Sequence, residues 1–331
     1  MKVISVLSGV FRQGEWVYGV PATARRSWGW ATPLLLMFGL GGVVFVATIV
    51  WLAALPNGVA TITLAVEMMW TVLLAITAIA VFTAWGLRFE RRSLASLGLV
   101  DPQWRRQVGQ GLLAGIGICL AIGVLGDMAS WFAGAPAGNG GGWWIFQAIG
   151  SLVSLGPADL VRLACFVAAV AIYAAAEEVV FRGWLLSAIS ARWGAAPGIL
   201  LSSALFASYH YHLFGGGLAY GSFWMIAMGF SGVAFCLLAM VQKSLFGAIG
   251  MHAGFNLWLM LGSSLPRLSD PEAGSLSQIL SVTLDVTSGM PEDGGLPLTG
   301  YDLADAIVFA LVGLGLLQLV RRQPVRFARN P

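Results

Sequence analysis

Ala174-Ala-Ala-Glu177-Glu178-Val-Val-Phe181-Arg182-Gly183-Trp184 sets two adjacent carboxylates and an arginine inside an apolar run. An ionisable side chain at membrane depth is costly, so it marks a functional position by default. The rest of the chain supports that depth. Of 331 residues, 58% are hydrophobic and 10% are charged, against about 25% charged in a typical soluble domain. Mean hydropathy is +0.82, and several apolar runs approach the ~20 residues that cross a bilayer. The chain therefore reads as all-α, a polytopic membrane helical bundle.

Composition also narrows the function classes. Cys119, Cys165 and Cys236 each lie inside apolar runs without CxxC or Cys/His metal spacing, and read as small buried hydrophobes. Basic residues are dispersed over short loops beside the membrane, so no nucleic-acid partner is expected. The start of the chain lacks an apolar h-region, so no cleavable signal is expected. The 43 glycines and 14 tryptophans suit close helix packing and interfacial anchoring.

Residues 1–32 read as a cytoplasmic or interfacial segment, and 33–157 as the N-terminal transmembrane helices. Spans are expected near 33–55, 60–86, 108–133, 158–176, 196–213, 222–241, 245–262 and 302–320, about eight in all. A short interfacial helix is expected at Ser93–Leu97, and another at Trp143–Leu155. The helix that reaches the glutamates is expected to continue through Arg182 to about Ile189. Residues 263–301 read as an extracytoplasmic acidic loop, and 302–331 as the last span with a basic cytoplasmic tail.

Charge placement supports this parse. Eight spans put both termini on one side of the membrane. With that side cytoplasmic, all of the 18 Lys and Arg except Arg162 and Arg267 lie on or near it. The 263–301 loop, with Asp270, Glu272, Asp285, Glu292 and Asp293, falls outside. Positive charge inside is the expected bias, and the setting is a cell (inner) membrane.

The chemistry concentrates downstream of the glutamates. Glu178 and Arg182 are four apart and share a helix face, where they can pair. Glu177 points about 100° away around the helix, so the two acids need not share a role. A helix-end salt-bridge cluster would account for Glu178 but leave Glu177 unpaired. All three histidines follow: His210, His212 and His252, with Asn256 one turn past the last. A lone His in an apolar helix is ordinarily a satisfied core residue, but three in one region beside two Glu and an Asn point to a site. His210 and His212 diverge by about 200° on a helix, and His210 is the one assigned to Glu177. A base, an orienting partner and oxyanion donors suffice for water-driven hydrolysis. Glu177 and His210 can supply the first two, His252 and Asn256 the donors. Two His and a Glu could also hold zinc, but HExxH is absent and Asn is a poor ligand, so no metal or other cofactor is expected. No GxSxG is present for a serine nucleophile.

Glu177-Glu178-x-x-x-Arg182, Phe206-x-x-x-His210 and His252-x-x-x-Asn256, in this order on successive helices, resemble the three core motifs of the CAAX-protease and bacteriocin-processing (CPBP, or Abi) family of intramembrane proteins. The resemblance covers residues 158–262, which read as the catalytic core. It implies a glutamate-dependent, metal-independent endopeptidase. Glu177 and His210 would activate water, His252 and Asn256 would form the oxyanion site, and Glu178 and Arg182 would support them. His212 departs from the motif by adding a second histidine.

The expected partners are the lipid bilayer and a membrane-protein or peptide substrate; oligomeric state is open. The alternative is a non-proteolytic membrane scaffold or bacteriocin-immunity-type protein that keeps the fold. A transporter using Glu67 and Glu177 is weaker, because the two halves show no repeat. Glu67 itself is expected to pack within the bundle, against Arg162, or to line a cavity.

Overall fold

A computed structural model describes Tyr18 and residues 64–132, 156–210, 217–268 and 300–322, all helical or in short connections. The helices are α1 (Leu64–Arg88), α2 (Trp104–Phe132), α3 (Pro157–Glu178), α4 (Ser187–Trp193), α5 (Ala195–Tyr209), α6 (Gly217–Gln242), α7 (Phe246–Leu268) and α8 (Gly300–Arg322). No strand occurs among the described residues. Apolar stretches long enough to cross a membrane are Trp104–Ala129, Leu163–Trp193, Met225–Gln242 and Leu303–Val320, four among the described residues. The expected first span, the Trp143–Leu155 helix, His212 and the acidic loop beyond residue 268 lie outside the described residues. So do the side chains of Glu67 and Arg162.

Two local expectations are corrected. The glutamates do not end a span. From α3 the chain runs through a π-helical segment, Val179–Leu186, straight into α4, so they lie well inside the apolar stretch Leu163–Trp193. Wide π turns tend to occur at functional positions. The fifth span is also shorter than expected. α5 stops at Tyr209, with His210 as its cap residue.

The segment before α2, expected as a polar connection with a short interfacial helix at Ser93–Leu97, is partly buried. Its helical part is a single 3₁₀ turn, Ala95–Leu97, with Ser96 and Leu97 buried. Arg92 and Glu90 are buried too. They pair at 3.2 Å. Trp184 donates its indole N–H to Glu90 Oε1 at 3.1 Å, and Arg92 donates to Ser187 Oγ at 2.6 Å and to the Ser96 carbonyl. Burial pulls the Arg92 guanidinium below its usual range, an effect that Glu90 opposes. A guanidinium remains charged through such a shift. This second ionic cluster clamps the pre-α2 segment to the π-helical turn.

The tightest crossing is between α2 and α7. A Cβ on Gly111 or Gly115 of α2 would overlap the α7 backbone at Gly247 or Met251. One on Gly250 or Gly254 of α7 would overlap the α2 carbonyl of Val108 or Leu112. Small residues four apart on both helices permit backbones to meet in this way. Gly254 lies between His252 and Asn256, so the crossing fixes the helix that carries both. α6 packs on α5 and α8, bringing Phe235 against Phe206 and Phe309.

Candidate active site

The glutamates leave α3 from a position where nearly everything is buried. Glu177 is 5% exposed, and Glu178 and Arg182 are 0% exposed. A charge so placed must be paired to be tolerated. The i,i+4 pairing of Glu178 with Arg182 is present, Nη1 to Oε1 at 2.9 Å. The guanidinium lies over Phe206 at 4.2 Å and Phe235 at 5.0 Å, and its other terminal nitrogen donates to the Gly232 carbonyl at 3.4 Å. Tyr18 donates its hydroxyl to the Arg182 carbonyl at 3.2 Å.

His252 arrives from α7, two residues from each of the Gly250 and Gly254 contacts. Its ring stacks on Phe235, 4.9 Å between centroids and 19° between planes. Nδ1 lies 2.8 Å from Glu178 Oε1, so a carboxylate with only acceptors fixes that nitrogen as the donor. The far nitrogen, Nε2, lies 3.5 Å from Glu177 Oε2. One imidazole thus bridges the two glutamates.

His210 reaches Glu177 from α5. Nδ1 donates to the Phe206 carbonyl at 2.8 Å, the assignment a carbonyl acceptor requires. Nε2 then faces Glu177 Oε1 at 3.7 Å. The Phe206 ring holds both histidines, with centroids 4.5 Å from His210 and 5.9 Å from His252.

Glu177 is therefore flanked by two imidazoles whose Nδ1 atoms are both committed elsewhere. Neither of its oxygens makes a direct hydrogen bond to an imidazole, and the Tyr173 hydroxyl lies close beside the carboxylate. At 3.5 and 3.7 Å both imidazole nitrogens stand just outside ordinary hydrogen-bond contact with it. Among the described residues, no three His, Cys, Asp or Glu side chains are placed to share a metal ion.

Glu177, Glu178, Arg182, His210 and His252 converge on one buried point. Asn256 sits one turn beyond His252 on α7, partly buried. Sequence reading passed over Tyr173 and Tyr209. Their hydroxyls lie beside Glu177 and beside each other. A signal was available: Tyr173 is four residues before Glu177, on its face of the helix, and Tyr209 directly precedes His210.

No curated protein and no solved structure matches the chain. Residues 159–258 match the family model described as type II CAAX prenyl endopeptidase Rce1-like, in line with the CAAX-protease family that the three motifs resemble.

Proposed function

We propose that the chain is a multi-pass intramembrane endopeptidase of the cell (inner) membrane, with about eight spans, both termini cytoplasmic and its catalytic core within residues 158–262. Glu177 is the general base. It takes a proton from water as the water oxygen adds to the scissile carbonyl carbon. His210, its Nδ1 tied to the Phe206 carbonyl, orients that water through the Nε2 lone pair. The C=O electrons move onto oxygen, where His252 and the Asn256 amide donate hydrogen bonds. When the intermediate collapses, the C–N bond breaks and the proton held by Glu177 passes to the leaving nitrogen.

The observation that supports this most directly is the state of Glu177, a buried carboxylate facing two imidazoles without a direct hydrogen bond to either. A merely structural buried carboxylate would be expected to be bonded to such a neighbour, as Glu178 is to His252. Because His252 gives its Nδ1 proton to Glu178, it must carry a second proton on Nε2 to serve an oxyanion. Glu178 is the counter-charge for that imidazolium.

The matched family model is described as a type II CAAX prenyl endopeptidase. A farnesylated CAAX peptide is therefore the first substrate to offer, followed by membrane-protein peptides without a lipid. The test is cleavage of a fluorescence-quenched farnesylated CAAX peptide by purified protein in liposomes. Wild type, Glu177→Ala and His252→Ala are compared with and without a strong zinc chelator. Cleavage abolished in both variants and indifferent to the chelator is the expected result. Full activity in Glu177→Ala overturns the mechanism, and zinc-restored loss with the chelator replaces it with a metal-dependent one.

A further inference from the structure

The proposed chemistry leaves the orientation of Glu177 unexplained. A carboxylate only accepts hydrogen bonds, and neutral His210, its Nδ1 proton engaged by the Phe206 carbonyl, presents an acceptor toward Glu177. The second Nε2 proton of His252 is reserved for the oxyanion, so the two histidines alone do not hold the base in place.

Two donors stand at the same point. Tyr173 projects from α3 on the face of Glu177, one turn earlier. Tyr209 ends α5, its ring edge-on to His210 at 5.6 Å and near Phe181 at 6.1 Å. The two hydroxyls neighbour each other, and both neighbour Glu177. Both tyrosines are partly buried, where a hydroxyl ordinarily finds a polar partner. Glu177 is the buried acceptor beside them, 3.5 and 3.7 Å from the imidazole nitrogens.

We infer that Tyr173 is a positioning residue for Glu177, its hydroxyl steering the carboxylate between His210 and His252, with Tyr209 backing Tyr173 from the opposite helix. This rests on the reading of Glu177 as the base. Tyr173 touches neither the water nor the substrate; it acts by fixing where the base points. Misplacement of a catalytic group by about 1 Å costs on the order of 100-fold in rate.

Kinetics of Tyr173→Phe, Tyr209→Phe and the double variant on the farnesylated CAAX peptide test this, beside Glu177→Gln. The expected result for Tyr173→Phe is a kcat lowered on the order of 100-fold with KM and thermal stability unchanged. Tyr209→Phe loses less, and the double variant is no worse than Tyr173→Phe. A Tyr173→Phe enzyme with wild-type kcat, or one impaired only in KM, overturns the inference, as do losses that multiply in the double variant. An active Glu177→Gln enzyme removes the base itself and defeats the underlying reading instead. A second measurement needs no substrate. The isotope-edited infrared carboxylate band that disappears in Glu177→Gln shifts in Tyr173→Phe if the hydroxyl engages it, and an unmoved band overturns the inference.

Discussion

Glu178 Oε1 accepts from two donors, His252 Nδ1 at 2.8 Å and Arg182 Nη1 at 2.9 Å. The carboxylate and His252 are 74 positions apart. The acid that looked like half of a local salt bridge is thus also the group that orients a histidine on another helix. Glu178 fixes the tautomer of His252 and turns its free nitrogen toward Glu177.

From this follows a separation between charge and shape at Glu178. Glu178→Gln keeps the volume and an acceptor oxygen but removes the counter-charge for a doubly protonated His252. The enzyme is expected to fold and to lose kcat on the order of 100-fold, read in the liposome assay beside circular dichroism. Both exchanges leave the Arg182 charge uncompensated, which for a broken buried ion pair costs about 3–5 kcal/mol. Glu178→Ala also removes the acceptor oxygen and the side-chain volume, and is expected to be the less stable of the two. Thermal unfolding in detergent separates the two, and a Glu178→Gln enzyme of wild-type kcat would refute the orienting role.

Arg182 allows the converse experiment. Its guanidinium lies over Phe206 and Phe235 while it pairs with Glu178. Lys would keep the charge and lose the flat stacking surface and the fork of donors. Arg182→Lys is expected to destabilise by about 1–2 kcal/mol, the range for a desolvated cation over aromatic rings. Replacing both members, Glu178→Met with Arg182→Met, is expected to recover stability relative to either single change, since a buried pair exchanged for apolar side chains is often close to neutral. Activity should not return with it. A double variant as unstable as the sum of the singles would show that the pair is not the unit it is taken to be.

The indole of Trp184 ties the π-helical turn to Glu90. Trp184→Phe keeps the aromatic packing against Phe82, 5.0 Å away, and deletes the donor. Leaving a buried acceptor one bond short costs about 1–3 kcal/mol. That loss should appear in thermal unfolding. It should also appear as faster amide exchange in the segment before α2, because that segment is what the bond secures. Unchanged exchange there would mean that Arg92 and Ser187 suffice.

The site was legible where its chemistry is local. Glu178 and Arg182 meet because four residues make one helix turn, and His210 returns to the Phe206 carbonyl for the same reason. The apolar stretches of α2, α6 and α8 could be read because lipid demands length and apolarity, which composition displays. What was missed depends on neighbours distant in sequence. Nothing near His252 announces Glu178, and nothing near Arg92 announces Ser187, so Arg92 was read as one more basic residue at the membrane surface. The π-helical turn carries no local signal either. Val179–Leu186 has the composition of an ordinary apolar helix, and its widened turn is recognisable only in the folded backbone.

The α2–α7 crossing yields a prediction with an internal control. A methyl group on Gly254 would overlap the Leu112 carbonyl, whereas nothing lies within 4 Å of one on Gly117 or Gly109 of α2. Mid-helix glycine is worth roughly 0.5–1 kcal/mol less than alanine, so Gly117→Ala is expected to be neutral or stabilising. At Gly254 the same exchange must push α7 away from α2, and the rigid backbone oxygen cannot yield as a side chain would. His252 and Asn256 flank that position, so the displacement carries them off Glu178 and Glu177 together. Gly254→Ala should therefore lower kcat as well as melting temperature, and Gly254→Val more so, while Gly117→Ala leaves kcat alone. If Gly254→Ala costs stability but spares kcat, the crossing holds the bundle together without aligning the site.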